Sequence, residues 1–451
     1  MVAELYKLKF LLLIEFFLLF LFAASDAVPF LLFLSLIILL ISIYFIFNSP
    51  IIAVHILIFS ILADTFRPQQ NSSVGPSVSI IEVCFIILLG LFIIKFLFNL
   101  DKKFEIPNFI YIWIPFLIWG LIIGFLTSID QLRVLTYWKN YFAGFFAFCV
   151  TYYAIKKESH VKSVIISVII WGVILSLLEI KVLYDLGGLT TGIVGLFLKK
   201  NLLTLGWGRS NYLAAFFVII IPVTIGYLLY SKSKGIKIVM TGALVLMSFA
   251  LTLTLSRGGV LALLITLVIL FSKVLKTRTL IPFLAILLII AIVLLSNPLT
   301  LVLVDRISSL DTSSSFYSRV NYYEDVWNAF LKHPVTGVGF GNLSFYATFI
   351  LAADASPSAH NIVLGMLGEI GIFGAIFYFL ILGTLLKVVY SDYRKETDQS
   401  LKILRWCFLS AVIGGFIHAL LEPTLEGLHF SIMFWTIAGI YTKLHLLKFS
   451  S

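Results

Sequence analysis

Long apolar runs, each closed by a short polar cluster, recur along the whole chain. They fall at 8–24, 28–47, 51–63, 78–98, 109–127, 137–155, 164–178 and 211–230. They continue at 236–255, 258–271, 280–296, 361–390, 404–420 and 428–446. A helix needs roughly 20 apolar residues to cross the hydrocarbon of a bilayer. Most of the runs approach that length, and none alternates with the two-residue period of a barrel strand. The pattern predicts an all-α polytopic membrane protein with roughly twelve to fourteen transmembrane helices. The runs 51–63 and 258–271 are short and read as half-helices or parts of longer elements. The first run resembles a secretory leader, because Ala23-Ala24-Ser25 closes it. Glu15 lies inside it, however, and a second run follows at once, so it reads as an uncleaved helix.

Composition removes the other classes. The chain is 61% hydrophobic and 12% charged, with mean hydropathy +1.09. A soluble domain carries about 25% charged residues, and a disordered chain needs low hydrophobicity. Cys84, Cys149 and Cys407 fall in apolar runs with neither metal nor disulfide spacing, and read as core residues. The net charge of +10 is here a question of membrane sidedness, and nucleic acid is not expected as a partner.

With the N-terminus in the cytoplasm and the runs alternating in direction, most lysines and arginines fall inside, as the positive-inside rule requires. Both termini are then cytoplasmic. The identity of the charges differs between the sides. Inside, lysine dominates, with only Arg278, Arg394 and Arg405 as arginines. Outside stand Arg67, Arg133, Arg209, Arg257, Arg306 and Arg319. Arginine suits planar, multidentate recognition of phosphate or carboxylate, so the outward face is equipped for an anion.

The chain divides into N-terminal helices (1–210), central helices (211–297), an extracytoplasmic loop (298–360) and C-terminal helices (361–451). The loop is long and compositionally rich, the kind that carries function. Residues 317–333 predict an amphipathic helix with Ser318 as N-cap, Val320, Tyr323, Trp327, Phe330 and Leu331 on one side, and Pro334 ending it. Such a helix lies on a membrane surface or over a cavity mouth. A glycine-rich stretch follows, from His333-Pro334 through Gly337, Gly339 and Gly341 to Asn342. No Lys-Ser/Thr follows it and no strand precedes it, so it is neither a phosphate-binding loop nor a dinucleotide fingerprint. His360 stands where the loop enters a long apolar helix, placed to meet both water and a lipid-borne substrate. Arg209 precedes the run at 211 beside two glycines, at a helix start that favours anions. Arg257 interrupts what is otherwise one apolar stretch from 236 to 271, and a buried arginine there is a functional hypothesis by default. The outward acidic residues, among them Asp325, Glu369, Glu422 and Glu426, form no Asp-x-Asp pair, and no zinc spacing is present.

Ser256-Arg257-Gly258-Gly259, Arg319, His333-Pro334 with Gly337-Val338-Gly339-Phe340-Gly341, and His360-Asn361 with Gly368-Glu369-Ile370-Gly371 resemble the shared domain of O-antigen ligases and polymerases. The likeness spans roughly residues 211–379. It implies a GT-C-like, inverting, metal-independent membrane glycosyltransferase that uses no cofactor. The implied donor is a glycan on undecaprenyl diphosphate. The implied acceptor is lipid A-core for a ligase, placed first here, or another lipid-linked repeat for a polymerase. It further implies a bacterial inner membrane protein with its active site on the periplasmic side, among membrane lipids. The roles carried over are Arg209 and Arg257 on the diphosphate and His360 as base, with Arg319, Glu369 and Asn361 as substrate-binding residues. The family pattern leaves open whether Arg257 or Arg319 is the second essential arginine. A transporter or lipid flippase is the alternative from another class. Many spans suit it, but no half-to-half repeat is visible. An inactive assembly subunit fits the outward arginines poorly.

Overall fold

The computed structural model describes residues 49–66, 79–97, 107–187, 204–205, 207, 210–275, 315–346 and 360–444. Expectations for the runs 8–24, 28–47 and 280–296, and for Arg67, Arg209 and Arg306, lie outside them. The described residues form helices and turns, with no strand among them. In chain order the helices are α1 (Ile51–Ala63), α2 (Ile80–Leu97), α3 (Trp113–Thr127), α4 (Gln131–Ala154), α5 (Glu158–Asp185) and α6 (Ser210–Tyr230). Then come α7 (Lys234–Leu253), α8 (Arg257–Val274), α9 (Ser315–Lys332), α10 (Ile362–Lys395), α11 (Gln399–Leu421) and α12 (Leu428–Leu444). Among the described residues, 7 helices are long and apolar enough to cross a membrane. The protein is an all-α polytopic membrane protein, as the hydropathy predicts.

Short connections make neighbouring helices antiparallel, so their ends collect at two poles. One pole gathers the C-terminal ends of α1, α3, α5, α7 and α11 with the N-terminal ends of α2, α4, α6, α8, α10 and α12. Its cross-links are specific. The Asp64 carboxylate, after α1, accepts from the Ile80 amide that opens α2 (3.2 Å). Leu183 of α5 packs on Leu253 of α7. Tyr212 of α6 lies against Gly427, just before α12. The opposite pole is stitched by Arg405. This buried guanidinium pairs with Glu396 (2.8 Å) and donates to the carbonyls of Asp392 (3.0 Å) and Leu444 (3.3 Å). Arg405 thus satisfies the frayed ends of α10 and α12, where a helix leaves its last carbonyls unpaired.

At the centre, α6 packs on α11, and α4 on α12. Of the membrane-length window of α6, 83% is buried within the protein. Between lipid-soluble surfaces the hydrophobic effect does not drive association, so close packing must. Small residues make that possible: Gly415 faces Ile219 and Phe434, Gly226 faces Cys407, and Gly414 faces Thr266. Cys149 and Cys407 are free and buried, and Cys84 is free and half-buried. The periphery is apolar as well, with Leu126 at 74% and Ile238 at 74% exposed. Such surface is costly in water and compatible with lipid.

Two sequence expectations change. The runs 236–255 and 258–271 are two helices, as their separation in the sequence predicts, joined by a turn at Thr254–Ser256, and what changes is the setting of Arg257. Arg257 is therefore the exposed first residue of α8, not a buried interruption. Residues from Ser315 onward are already helical, which puts Ser318 inside this helix and not at its cap. Its packed side is formed by Val326 and Ala329, which join Val338 and Leu343 in a small core, while Trp327 and Leu331 face outward. Counting all large apolar residues as one face mixed two directions.

The glycine-rich stretch has a structural partner that hydropathy does not show. Within α10, Gly371 adopts φ 67 and ψ −173 and breaks the helix. The carbonyls freed by the break are taken from outside. Val338 N–H donates to Gly368 (2.9 Å), Gly339 N–H to Glu369 (2.8 Å) and the Trp119 indole to Ile370 (2.9 Å). In return Ile372 N–H donates to the Pro334 carbonyl (2.9 Å). Backbone meets backbone here, with Gly337 at φ 66, Gly339 at φ 88 and Gly341 at φ 69. A Cβ on Gly371 would strike the Val335 carbonyl. Gly371→Ala is expected to lower stability by about 2 kcal/mol or more, measured as a drop of several degrees in unfolding temperature in detergent.

Candidate functional site

The glycine-rich strap is fixed at its far end by α4. Asn342 is fully buried; its amide donates to the carbonyls of Asp130 (3.1 Å) and Phe340 (2.9 Å), and its oxygen accepts from Asp130 N–H (2.8 Å). Asp130 in turn caps α4, accepting from the amides of Leu132 and Arg133. Arg133 donates to Ser344 (2.6 Å), pairs with Asp130 (3.3 Å) and lies 4.8 Å over the Phe345 ring. Arg133, counted among the outward arginines, therefore clamps the loop and is not a free anion-binding charge.

His360 immediately precedes α10. Its φ of 46 lies in the left-handed region, sparsely used by residues other than glycine and often found at functional sites. Asn361 explains how the helix starts there: its side-chain oxygen accepts from Val363 N–H (2.8 Å) and Leu364 N–H (3.1 Å). Asn361, expected to bind substrate, places its acceptor oxygen in a helix cap. His360 is held from three sides. Its Nδ1 meets Glu422 Oε2 at 2.9 Å, the Tyr323 hydroxyl reaches its carbonyl at 3.5 Å, and the Tyr322 ring lies 5.8 Å from the imidazole. The Nδ1 partner is a carboxylate, so Nδ1 carries the proton and Nε2 offers the lone pair. The imidazole side chain is 22% exposed and that of Glu422 is 5% exposed. The imidazole is reachable while its carboxylate partner is shielded.

Glu422 comes from the C-terminal end of α11, where its own amide donates to the His418 carbonyl (2.9 Å). In the sequence it was only one of several outward acidic residues. The contact joins positions 62 apart, and no local spacing reveals it. The short turn that follows brings a second pair. His429 Nε2 meets Asp64 Oδ2 at 3.0 Å, and the Trp207 ring stacks on this imidazole at 5.0 Å. Both histidine–carboxylate pairs flank the same connection between α11 and α12.

Arg257 joins this pole from α8. A Cβ on Gly258 would lie 3.5 Å from that of Leu421, the neighbour of Glu422. Ser256 caps α8 by accepting from Gly259 N–H (3.1 Å). The first amides of any helix lack an intrahelical partner and attract anions. Arg257 is exposed and has no ion-pair partner among the described residues. Arg319 lies within α9, one turn before Tyr322 and Tyr323 in the chain. Arg209 lies outside the described residues, between Trp207 and the start of α6 at Ser210.

Glu369 does not join them. It lies more than two helical turns beyond His360 along α10, is 4% exposed, and accepts from Gly341 N–H with Oε1 (3.0 Å). It secures the strap from inside the break. Among the described residues, no group of three His, Cys, Asp or Glu side chains is placed to hold a metal ion.

Two comparisons with known proteins agree with this architecture. Residues 242–379 match the family model described as O-Antigen ligase. This stretch contains the Arg257 corner, α9, the glycine-rich strap, His360 and the break in α10. The chain is also similar to the teichuronic acid biosynthesis protein TuaE of Bacillus subtilis (strain 168), with 24% identity over 129 residues. That alignment covers 28% of this chain and 26% of the relative, so the chain spans about a quarter of the relative's length.

Glu369→Ala leaves the half-buried Gly341 N–H without its partner and is expected to cost about 1 kcal/mol. Thermal unfolding should register that loss, whereas a loss of substrate affinity with unchanged stability would place Glu369 in the binding site instead.

Proposed function

We propose that the protein is a membrane glycosyltransferase that moves a glycan from undecaprenyl diphosphate to an acceptor hydroxyl at the pole formed by His360, Glu422 and Arg257. The reading is supported most directly by the Glu422-oriented imidazole beside the exposed Arg257 corner, within the segment that matches the O-antigen ligase model. The acceptor oxygen attacks the anomeric carbon while the bond to the diphosphate oxygen breaks. The leaving diphosphate keeps the electron pair, and His360 Nε2 takes the hydroxyl proton. Glu422 holds the imidazole in its productive tautomer and stabilises the imidazolium that forms, the task of the carboxylate in other histidine-based sites. A positioned base of this kind contributes roughly 10²–10⁴-fold.

Charge grows on the leaving oxygen, and preorganised cations in a water-poor site are worth several kcal/mol there. Arg257 and the open amides of α8 supply one such cation-rich edge. Arg209 and Arg319 are proposed to complete it, so that arginine does the work a divalent ion performs elsewhere. The apolar outer surface suits the polyprenyl tail. In this reading the pole faces the periplasm and the protein sits in the inner membrane, with lipid A-core as acceptor. The similarity to a protein named for teichuronic acid biosynthesis favours a second reading: a polymerase that extends another lipid-linked repeat.

Purified protein given lipid-linked glycan and acceptor tests the site. His360→Ala, Arg257→Ala and Arg209→Ala are each expected to lower transfer at least a hundredfold while the protein stays folded. Glu422→Gln is expected to lower it about tenfold to a thousandfold through kcat. EDTA should leave the rate unchanged. Full transfer by the His360 and Arg257 variants would remove this site. One product that requires lipid A-core identifies a ligase, and a ladder on the carrier without it identifies a polymerase.

A further inference from the structure

One edge of α9, between its packed and exposed sides, carries a groove of about 420 Å³ lined by Asp325, Asn328, Ala329, Leu331, Lys332 and Tyr346. Positions 322, 325, 329 and 332 recur every three or four residues and so form one stripe along the helix. The groove therefore begins one turn from Tyr322, whose ring lies 5.8 Å from that of His360. From Asp325 to Lys332 the helix rises roughly 10 Å, the length of a short run of linked pyranose rings.

The lining suits that occupant. Asp325 accepts hydrogen bonds, Lys332 donates them and Asn328 does both, so a ring of hydroxyls finds either partner. Ala329 and Leu331 supply an apolar floor, and Tyr346 adds an aromatic wall for the C–H face of a sugar. A lipid tail would give the Asn328 amide and the Lys332 ammonium no polar contact, and one carboxylate beside one ammonium offers no net charge to a polyanion.

We propose that this groove is a glycan-binding subsite, holding the sugars next to the one that reacts at His360. The proposal rests on the glycan-transfer reading and adds to it a way of measuring saccharide length. A monosaccharide substrate reaches only the imidazole end, whereas a longer chain also lies along α9. The subsite serves the donor glycan or the acceptor glycan, and the two are separable by which substrate is shortened.

The double variant Asn328→Ala, Lys332→Ala changes two exposed side chains, and thermal unfolding checks that its fold is kept. Transfer is compared for carrier lipids bearing a single sugar and bearing the full-length glycan, both extracted from the cell's own membranes. The ratio of kcat/KM for long over short donor is expected to fall roughly tenfold, the loss of two ordinary hydrogen bonds. If the ratio falls only when the acceptor is the substrate varied in length, the groove serves the acceptor. An unchanged ratio in both series overturns the proposal. A photoreactive residue in place of Asn328, irradiated in native membranes, decides the matter without any transfer assay. A sugar-bearing adduct in the mass spectrum supports the subsite, and adducts of phospholipid or protein alone overturn it. Absence of transfer by the unmodified protein with every donor would instead count against the catalytic reading, leaving the cross-link to judge the groove.

Discussion

In a bilayer no water reaches an opened backbone, so a membrane helix can break only where the protein itself pairs the freed groups. The break at Gly371 meets that constraint through the strap from Pro334 to Asn342, which exchanges backbone hydrogen bonds with α10 on both sides of the kink. The rest of the site depends on this exchange. It fixes α10 below His360, and it holds the loop that carries α9 against the bundle. Glycine stands at 337, 339, 341 and 371 because the chains approach backbone to backbone and the dihedrals are left-handed.

Above the strap, the pole of the bundle brings together side chains from helices far apart in the chain. The turn after α11 presents Glu422 to His360, and the corner before α8 sets Gly258, the neighbour of Arg257, against Leu421. Each is the first or last residue of a helix or lies within two residues of one. Helix ends are where unpaired amides and carbonyls concentrate, where water or a ligand can enter, and where apolar packing no longer dictates the residue type. A polar cluster at one pole of an otherwise apolar bundle follows from that geometry, and it leaves the apolar sides free to meet lipid.

Not every charged or polar residue that attracts attention in the sequence belongs to this cluster. Arg133 clamps the strap, Asn361 caps α10 and Glu369 supports Gly341 from inside the break. Their residue types are the same as those of functional groups. What separates them is that each already holds a partner within the fold, while the His360 imidazole is partly exposed and Arg257 is exposed with no ion-pair partner among the described residues.

Hydropathy alone determined the all-α membrane class, the approximate bounds of the described helices and the helix near 317–333, because burial in lipid imposes a long apolar period on any spanning helix. The short motifs at 256–259, 333–341 and 368–371 were legible as unusual, since glycine and arginine are conspicuous among Leu, Ile and Phe. Their meaning was not. That the second and third of these motifs are two halves of one hydrogen-bonded junction, that Arg257 is the exposed first residue of α8, and that Trp327 points away from the core are matters of packing between distant segments. Glu422 is the clearest instance. Its identity was visible, but only the tertiary fold sets it 2.9 Å from His360, because a carboxylate's partner is decided by where the helices end in space and not by its neighbours in the chain.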